Sequence, residues 1–252
     1  MYKCSLELGG NMFEKLEKLQ LIILSLIITA GIIFAANIVT KSISKDVITV
    51  TGSYSENVTS DNGRFEFELN ARKPTKVEAY NTINNQRPVV IKYLETQGFK
   101  PEEIEIKSFQ GYNSYKVTPN GMSTNEIAYF NASQTISVKS NDVNKIKKIS
   151  TEINNLISKG IDINVLETAY FYSELPEIKV KLLEEATKDA KQRASAMLKA
   201  TNNKVGKIQS VKMGVFQITP VDSTNVSDMG ISDTSTIEKK ITSVANVTFI
   251  IK

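Results

Sequence analysis

Histidine and tryptophan are missing from all 252 residues, and the single cysteine is Cys4. Without histidine the chain has neither the commonest metal ligand nor the commonest general base. Beyond Cys4 there is no thiolate nucleophile, no cysteine-bound zinc and no disulfide. Met-Tyr-Lys ahead of Cys4 supplies neither an apolar stretch nor a small-residue box, so this cysteine does not read as a lipid-anchor site. Avoidance of cysteine downstream suits a domain that folds outside the cytoplasm, where thiols oxidise. Charge of one sign is also lacking: 31 basic and 27 acidic side chains leave a net charge of +4. That mixture gives no basic stripe, which argues against nucleic acid as a partner. Lys145, Lys147 and Lys148 form the densest basic cluster, but they alternate with Ile146 and Ile149 and read as a solvated helix face.

Catalytic signatures are equally absent. No GxxxxGK[ST], GxSxG or GxGxxG pattern occurs. Glu102 with Glu103 and Glu105, and Glu184 with Glu185, are neighbouring carboxylates, but adjacent residues on a helix diverge by about 100° and do not converge on a substrate. Asp61-Asn62-Gly63 lacks the spaced acidic ligands of a calcium loop. Sequons at Asn57, Asn131, Asn225 and Asn246 are what chance produces in a chain rich in Asn, Ser and Thr. No catalytic, cofactor-binding or metal-ligating residue is therefore assigned, no cofactor is expected, and the chain reads as a protein that is not an enzyme.

Long hydrophobic runs are confined to one place. Residues 19–39 read LQLIILSLIITAGIIFAANIV, without a charge. About 20 such residues suffice for a helix to cross about 30 Å of hydrocarbon. Phe34-Ala35-Ala36 has no small residue at the −3 position for cleavage after Ala36, and the run is long for a secretory signal. An uncleaved signal anchor is expected at 19–39, with residues 1–18 as a cytoplasmic tail. Starting at Met1 or at Met12, that tail is short and carries Lys15 and Lys18, although Lys41 and Lys45 lie on the other side. A linker is expected at 40–45 and one extracytoplasmic domain at 46–252, facing the periplasm or the cell surface.

The domain alternates strand and helix patterns. Asp46–Gly52 is β-rich, and residues 64–71 place Phe65, Phe67 and Leu69 on one face against Glu66, Glu68 and Asn70 on the other. The turn cluster 59–63 between them predicts a hairpin. Pro74 opens a helix whose expected apolar face is Val77, Tyr80, Ile83, Ile91 and Leu94, kinked or divided at Pro88 and ended by Gly98. Ile104 and Ile106 mark a third strand. A polar segment is expected at 111–125, followed by a strand with Ala128, Phe130, Ala132, Gln134, Ile136 and Val138 on one face. Asn141 is read as the cap of a helix ended by Gly160. Further expectations are a strand at 162–173, a helix at 176–200, strands at 205–218 and 237–251, and a mobile polar loop between those two. The class is α+β: antiparallel sheets with packed helices, preceded by one transmembrane helix.

Four pieces in this order resemble the SIMPL-domain family of bacterial envelope proteins. Ile48-Thr49-Val50-Thr51-Gly52 is similar to its opening strand. Leu94-Glu95-Thr96-Gln97-Gly98-Phe99 with Ile104-Glu105-Ile106-Lys107 resembles its first helix end and next strand. Ile157-Ser158-Lys159-Gly160 leads into a strand ending at Phe171. Ala186, Ala190 and Ala194, with Lys199-Ala200 and then Val205-Gly206-Lys207-Ile208, resemble its alanine ladder and closing turn. Ser60-Asp61-Asn62-Gly63 stands where the family often has Pro-Asp, and its Tyr/Pro-rich segment is often longer than 111–125. The resemblance implies an exported protein without cofactor or catalytic residue, with links to envelope or oxidative-stress physiology. Independently of it, alanines at i, i+4 and i+8 make a smooth stripe that lets a helix lie close to its own sheet, the favoured reading, or to a neighbouring helix in an assembly contact.

The favoured expectation is an anchored, non-enzymatic envelope protein acting through protein contacts, with a homo-oligomer or an envelope protein as partner. Tyr129, Tyr170 and Tyr172 lie opposite the larger apolar sets of their strands: this reads first as a second face buried under helices, and otherwise as an interface, with Tyr170 and Tyr172 in the contact, or as a groove lined also by Tyr112 and Tyr115. The alternatives are a ligand-binding sensor with a pocket beside 111–125, and a cell-wall hydrolase using paired carboxylates.

Overall fold

The computed structural model describes residues 4–43 and 46–252, with side chains described for 17–38 and 46–252. Cys4, Lys15, Lys41, Lys45 and the two candidate starts are sequence readings that lie outside the described side chains. In chain order the elements are helix α1 (Cys4–Ile43), strands β1 (Val47–Thr59) and β2 (Asn62–Lys73), helix α2 (Lys76–Thr96), strands β3 (Ile104–Val117) and β4 (Ser123–Ser140), helix α3 (Val143–Glu152), strand β5 (Asp162–Phe171), helix α4 (Leu175–Lys199), and strands β6 (Val205–Met213), β7 (Gln217–Pro220), β8 (Ile231–Ser232) and β9 (Glu238–Ile251). The class is α+β with an N-terminal apolar helix, as the patterning predicts.

Helix α1 is longer than its apolar run, so residues 40–43, expected as linker, are helical. The segment Glu17–Ile38 is long and apolar enough to cross a membrane. Its leucines, isoleucines and Phe34 are exposed. Ser25, Thr29 and Asn37 return their side-chain donors to the carbonyls of Ile22, Ser25 and Ile33. Each of the three side chains thus has a partner within its own helix, as a polar group in an apolar segment requires.

Strand order is β1-β9-β7-β8 in one sheet, with β6 also pairing β9, and β3-β4-β2-β5 in the other. Packing divides the chain into two units. The smaller takes the described residues up to Val50 with Lys191–Val211 and Val247–Lys252; the larger takes Thr51–Ala190 and Lys212–Asn246. In the smaller unit Val50, Ala194, Leu198, Val247 and Phe249 are buried. There Lys204 and Lys252 exchange both backbone hydrogen bonds at 2.8 Å.

In the larger unit, α2 and α3 cover one face of the four-stranded sheet. Phe65, Phe67 and Leu69 of β2 are fully buried there with Ile136, Val138, Ile146, Ile149 and Ile153. Thr75 and Glu78 form a capping box at the start of α2, each side chain bonding the other's backbone N–H at 3.2 Å. Asp142, one residue after the expected cap, holds the start of α3 by accepting from Asn144 and Lys145. Gly98 and Gly160 take the left-handed conformation just past helical segments.

Several expectations are corrected. Strands β1 and β2 form no hairpin, since they belong to different sheets. Asn62-Gly63 already lies within β2 and Gly63 does not adopt a positive φ, so the expected turn is absent. The chain instead crosses between sheets at Ser60-Asp61, where Ser60 N–H donates to Ile237 and Asp61 N–H to Phe171. Helix α2 continues through Pro88 and buries Ala79, Ile83, Val90 and Leu94, while Val77 and Tyr80 are exposed. Tyr80 packs edge-on against Phe109 instead. The polar segment 111–125 is largely strand: β3 and β4 make a long hairpin closed at Thr118–Met122 around Gly121. The expected strand 205–218 is two strands separated by Gly214-Val215-Phe216. The loop expected to be mobile carries β8, which pairs in parallel with β7.

Helix α4 meets β1 at Gly52. A Cβ there would lie 2.1 Å from the carbonyl oxygen of Ala186 and 2.4 Å from the amide nitrogen of Ala190, so only glycine fits. Ala186 and Ala190 are fully buried, and Ser53 N–H donates to Asp189 across the same contact at 2.8 Å. The alanine stripe therefore packs on the domain's own sheet. Ala190→Leu is expected to destabilise by about 1–3 kcal/mol by overpacking, and Gly52→Ala in the same direction. Lys188→Leu, on the exposed side of α4, should leave the urea midpoint almost unchanged; equal losses from the two helix variants would contradict the packing.

Candidate interaction surface and polar cleft

Helices α2 and α3 lie on one face of the four-stranded sheet, and its second face carries polar side chains. On it stand Arg64, Glu66, Glu68, Asn70 and Arg72 of β2, in register with Lys139, Ser137, Thr135, Ser133 and Asn131 of β4. One half of this face is closed by ion pairs. Arg64 bonds Glu167 at 2.8 Å, Lys107 bonds Glu66 at 2.8 Å and Lys139 bonds Glu105 at 3.2 Å. The hydrogen bond from Lys107 holds the Glu66 carboxyl below the usual carboxylate range, against the opposing effect of burial.

The other half is a cleft of about 480 Å³ lined by Glu68, Asn70 and Arg72 of β2, Gln110, Gly111 and Tyr112 of β3, Asn131 and Ser133 of β4, and Asp162 of β5. Gly111 is constrained: a Cβ would meet the Asn131 carbonyl and the Phe130 ring at 2.7 Å. Arg72 lies over the Tyr129 ring at 3.3 Å from its centroid.

Beyond the cleft the β3–β4 hairpin leaves the sheet. Pairing of β4 with β2 stops at Lys73↔Phe130, while its pairing with β3 continues to Val117↔Ser123. The result is a two-stranded ribbon. Its apolar side chains are in water: Val117 is 63% exposed and Met122 65%, and Tyr115 and Ile127 are also exposed. Lys116 and Glu126 pair across it at 2.9 Å.

Tyr170 and Tyr172 pack inward, as the buried reading expects and the contact reading does not. Tyr170 is 6% exposed and belongs to the core under α2 and α3, and Tyr172 packs beside Leu175 on a second apolar cluster with Ile178, Leu182 and Ile241. The bulge in β5 opposite Glu66 and Phe67 shifts its register and turns Tyr170 inward. A charge at Tyr170 would break the core rather than an interface. Of the neighbouring carboxylates, Glu103 bonds Lys145 at 2.9 Å, Glu105 pairs with Lys139, and Glu184 and Glu185 share Lys188. Glu102 and Glu103 line one cleft with Asp142, Lys100 and Lys139. Glu68 and Asp162, which the sequence reading did not single out, share the polar cleft.

The SIMPL family model, described as a protein of unknown function (DUF541), matches residues 48–249. The chain belongs to the SIMPL family. A comparison with curated proteins finds no match. The match covers β1 to β9, so the SIMPL domain here includes both sheets, the cleft and the ribbon, and excludes the apolar helix.

One buried ion pair lies off the cleft. Lys239 and Asp233 are 3.3 Å apart with side chains 3% and 9% exposed, and Lys239 also donates to the Asp233 carbonyl at 2.8 Å. Burial opposes the Asp233 charge, but hydrogen bonds from Thr236 and Ser235 overcome it and hold the carboxyl well below its usual range. Burial pushes the Lys239 amine down, with Asp233 pulling it back up. This pair ties the polar segment after β7 to β9. Asp233→Asn leaves the buried Lys239 cation without its counter-charge and is expected to cost about 3–5 kcal/mol. Lys239→Met should cost less, because Asp233 keeps its Ser235 and Thr236 donors. The depressed Asp233 and Glu66 carboxyls stabilise the fold fully above their unfolded value of about 4, and that stability is lost as pH falls through their folded values. The urea midpoint should therefore fall on acidification below about pH 4, and less steeply in Asp233→Asn.

Proposed function

We propose that this SIMPL protein is a single-pass, membrane-anchored envelope protein that is not an enzyme and acts by protein contact, chiefly with further copies of itself through the β3–β4 ribbon. The carrying observation is the ribbon with Tyr115, Val117, Met122 and Ile127 in solvent. Two strands alone are marginally stable in water, and exposed apolar side chains at such a site mark a partner surface. The anchor strengthens the reading. Chains confined to one membrane plane meet at raised effective concentration, so weak contacts suffice. The chain's lack of histidine and the ion pairing of its neighbouring carboxylates favour a contact protein over an enzyme. A role in envelope or oxidative-stress physiology is what the family resemblance suggests.

Two experiments test this. In intact cells the full-length protein should remain in the membrane after a carbonate wash, and protease added outside the cytoplasmic membrane should digest the domain. A soluble form beginning near residue 37 would mean a cleaved signal instead. Crosslinking in membranes should capture dimers or higher species that Ile127→Glu or Tyr115→Glu reduces, with unfolding midpoints changed by no more than about 0.5 kcal/mol. A strict monomer at all densities, or crosslinking indifferent to both substitutions, would remove the assembly reading.

A further inference from the structure

We propose that the polar cleft on the open face of the four-stranded sheet binds an uncharged saccharide chain. The inference is independent of self-association through the ribbon. It starts from the contrast between the two halves of one sheet face. Toward Arg64 the polar side chains neutralise one another in ion pairs. Toward Arg72 they do not: among the described residues the side chains of Asn70, Gln110, Ser133 and Asp162 make no hydrogen bond to the protein, although all four line one concavity. Glu68 accepts a single long bond from Thr135 at 3.5 Å, and Asn131 is held by its bond to Ser114 at 2.7 Å.

The chemistry of these groups selects the ligand. Two amides and a hydroxyl can each donate and accept, and two carboxylates accept; sugar hydroxyls do both. Tyr112 at the rim is 67% exposed and offers a ring face to the C–H side of a pyranose. Anions are disfavoured, because Glu68 and Asp162 outnumber Arg72, whose guanidinium is already laid over Tyr129. A ligand read by positive charge would find its two carboxylates diluted among neutral donors and beside that arginine. The cleft volume falls within the range of about 300–1,000 Å³ seen for small-molecule sites. It is an open concavity rather than an enclosed cavity, so a chain could extend beyond it.

The test uses the full-length protein in a detergent without a sugar headgroup, titrated calorimetrically with N-acetylchitotetraose, cellotetraose and maltotetraose. Inorganic phosphate and trilysine serve as anionic and cationic probes. Saturable binding of at least one saccharide is expected, weakened about tenfold by Asn70→Ala and by Gln110→Ala. Glu105→Ala, on the ion-paired half, should leave binding unchanged, and all three variants should keep the parent unfolding midpoint. No saturable binding of any of the three saccharides overturns the proposal. So does saccharide binding that survives both cleft substitutions, or tighter binding of phosphate or trilysine that those substitutions abolish.

Discussion

The contact between Gly52 and the backbone of α4 sets the geometry of the larger unit. Side chains normally keep helix and sheet apart; here glycine faces alanine and main chain meets main chain. No rotamer can adjust such a contact, so the distance between β1 and α4 is fixed by covalent geometry and van der Waals radii. The helix then delivers Ile178 and Leu182 to Val58, Ile218 and Ile241. The same strand carries its placement onward, because β1 runs through Ser60-Asp61 directly into β2 of the other sheet. The Asp61 carboxylate accepts from the backbone N–H of Ser173 at 3.0 Å and from its hydroxyl at 2.5 Å, just ahead of α4. Both chain crossings between the sheets thus meet at one aspartate.

How much of this was legible in the sequence follows from what each residue type can signal. Phe65, Phe67 and Leu69 declared their strand because alternation with charge has one solution. The alanine ladder declared a close packing, though not its partner: a glycine in a strand pattern signals close approach without saying to what. The false hairpin arose from Asn62-Gly63, a strong local turn signal that lost to pairing on both sides of β2 by β4 and β5. The ribbon was hidden for a different reason. A strand exposed on both faces needs no hydrophobic alternation, so residues 111–125 carried no periodic signal, although their partner strand β4 was plain. Burial of Tyr170 was legible, but the face it joins was not: a single bulge exchanges the two faces of a strand and leaves no mark in composition.

Strand β3 also shows how a long sheet edge can remain exposed. It has 14 residues and lies at the end of its sheet. Its pairing with β4 breaks register at Ile106/Phe109, at Ser114/Tyr115 and again at Tyr115/Val117. Each irregularity twists the edge away from the flat template that another strand would need, and Lys107 and Lys116 add charge along it. Edge-to-edge aggregation is thereby discouraged while side chains stay available. A contact through this element would therefore use the faces of the ribbon rather than its unpaired backbone.

The apolar side chains outside the cores divide by solvent. Those of residues 17–38 run along a helix long and apolar enough to cross a membrane. Those of the ribbon are few, separated by Ser114, Lys116 and Glu126, and tolerable in water. Membrane insertion of about 20 apolar residues is effectively irreversible, whereas the proposed contact through a handful of exposed side chains would have an occupancy that depends on local density. The polar face obeys the same logic at shorter range. Where charges are paired across the strands the side chains are committed to one another, and where they are not, hydrogen-bonding groups remain available on the cleft wall.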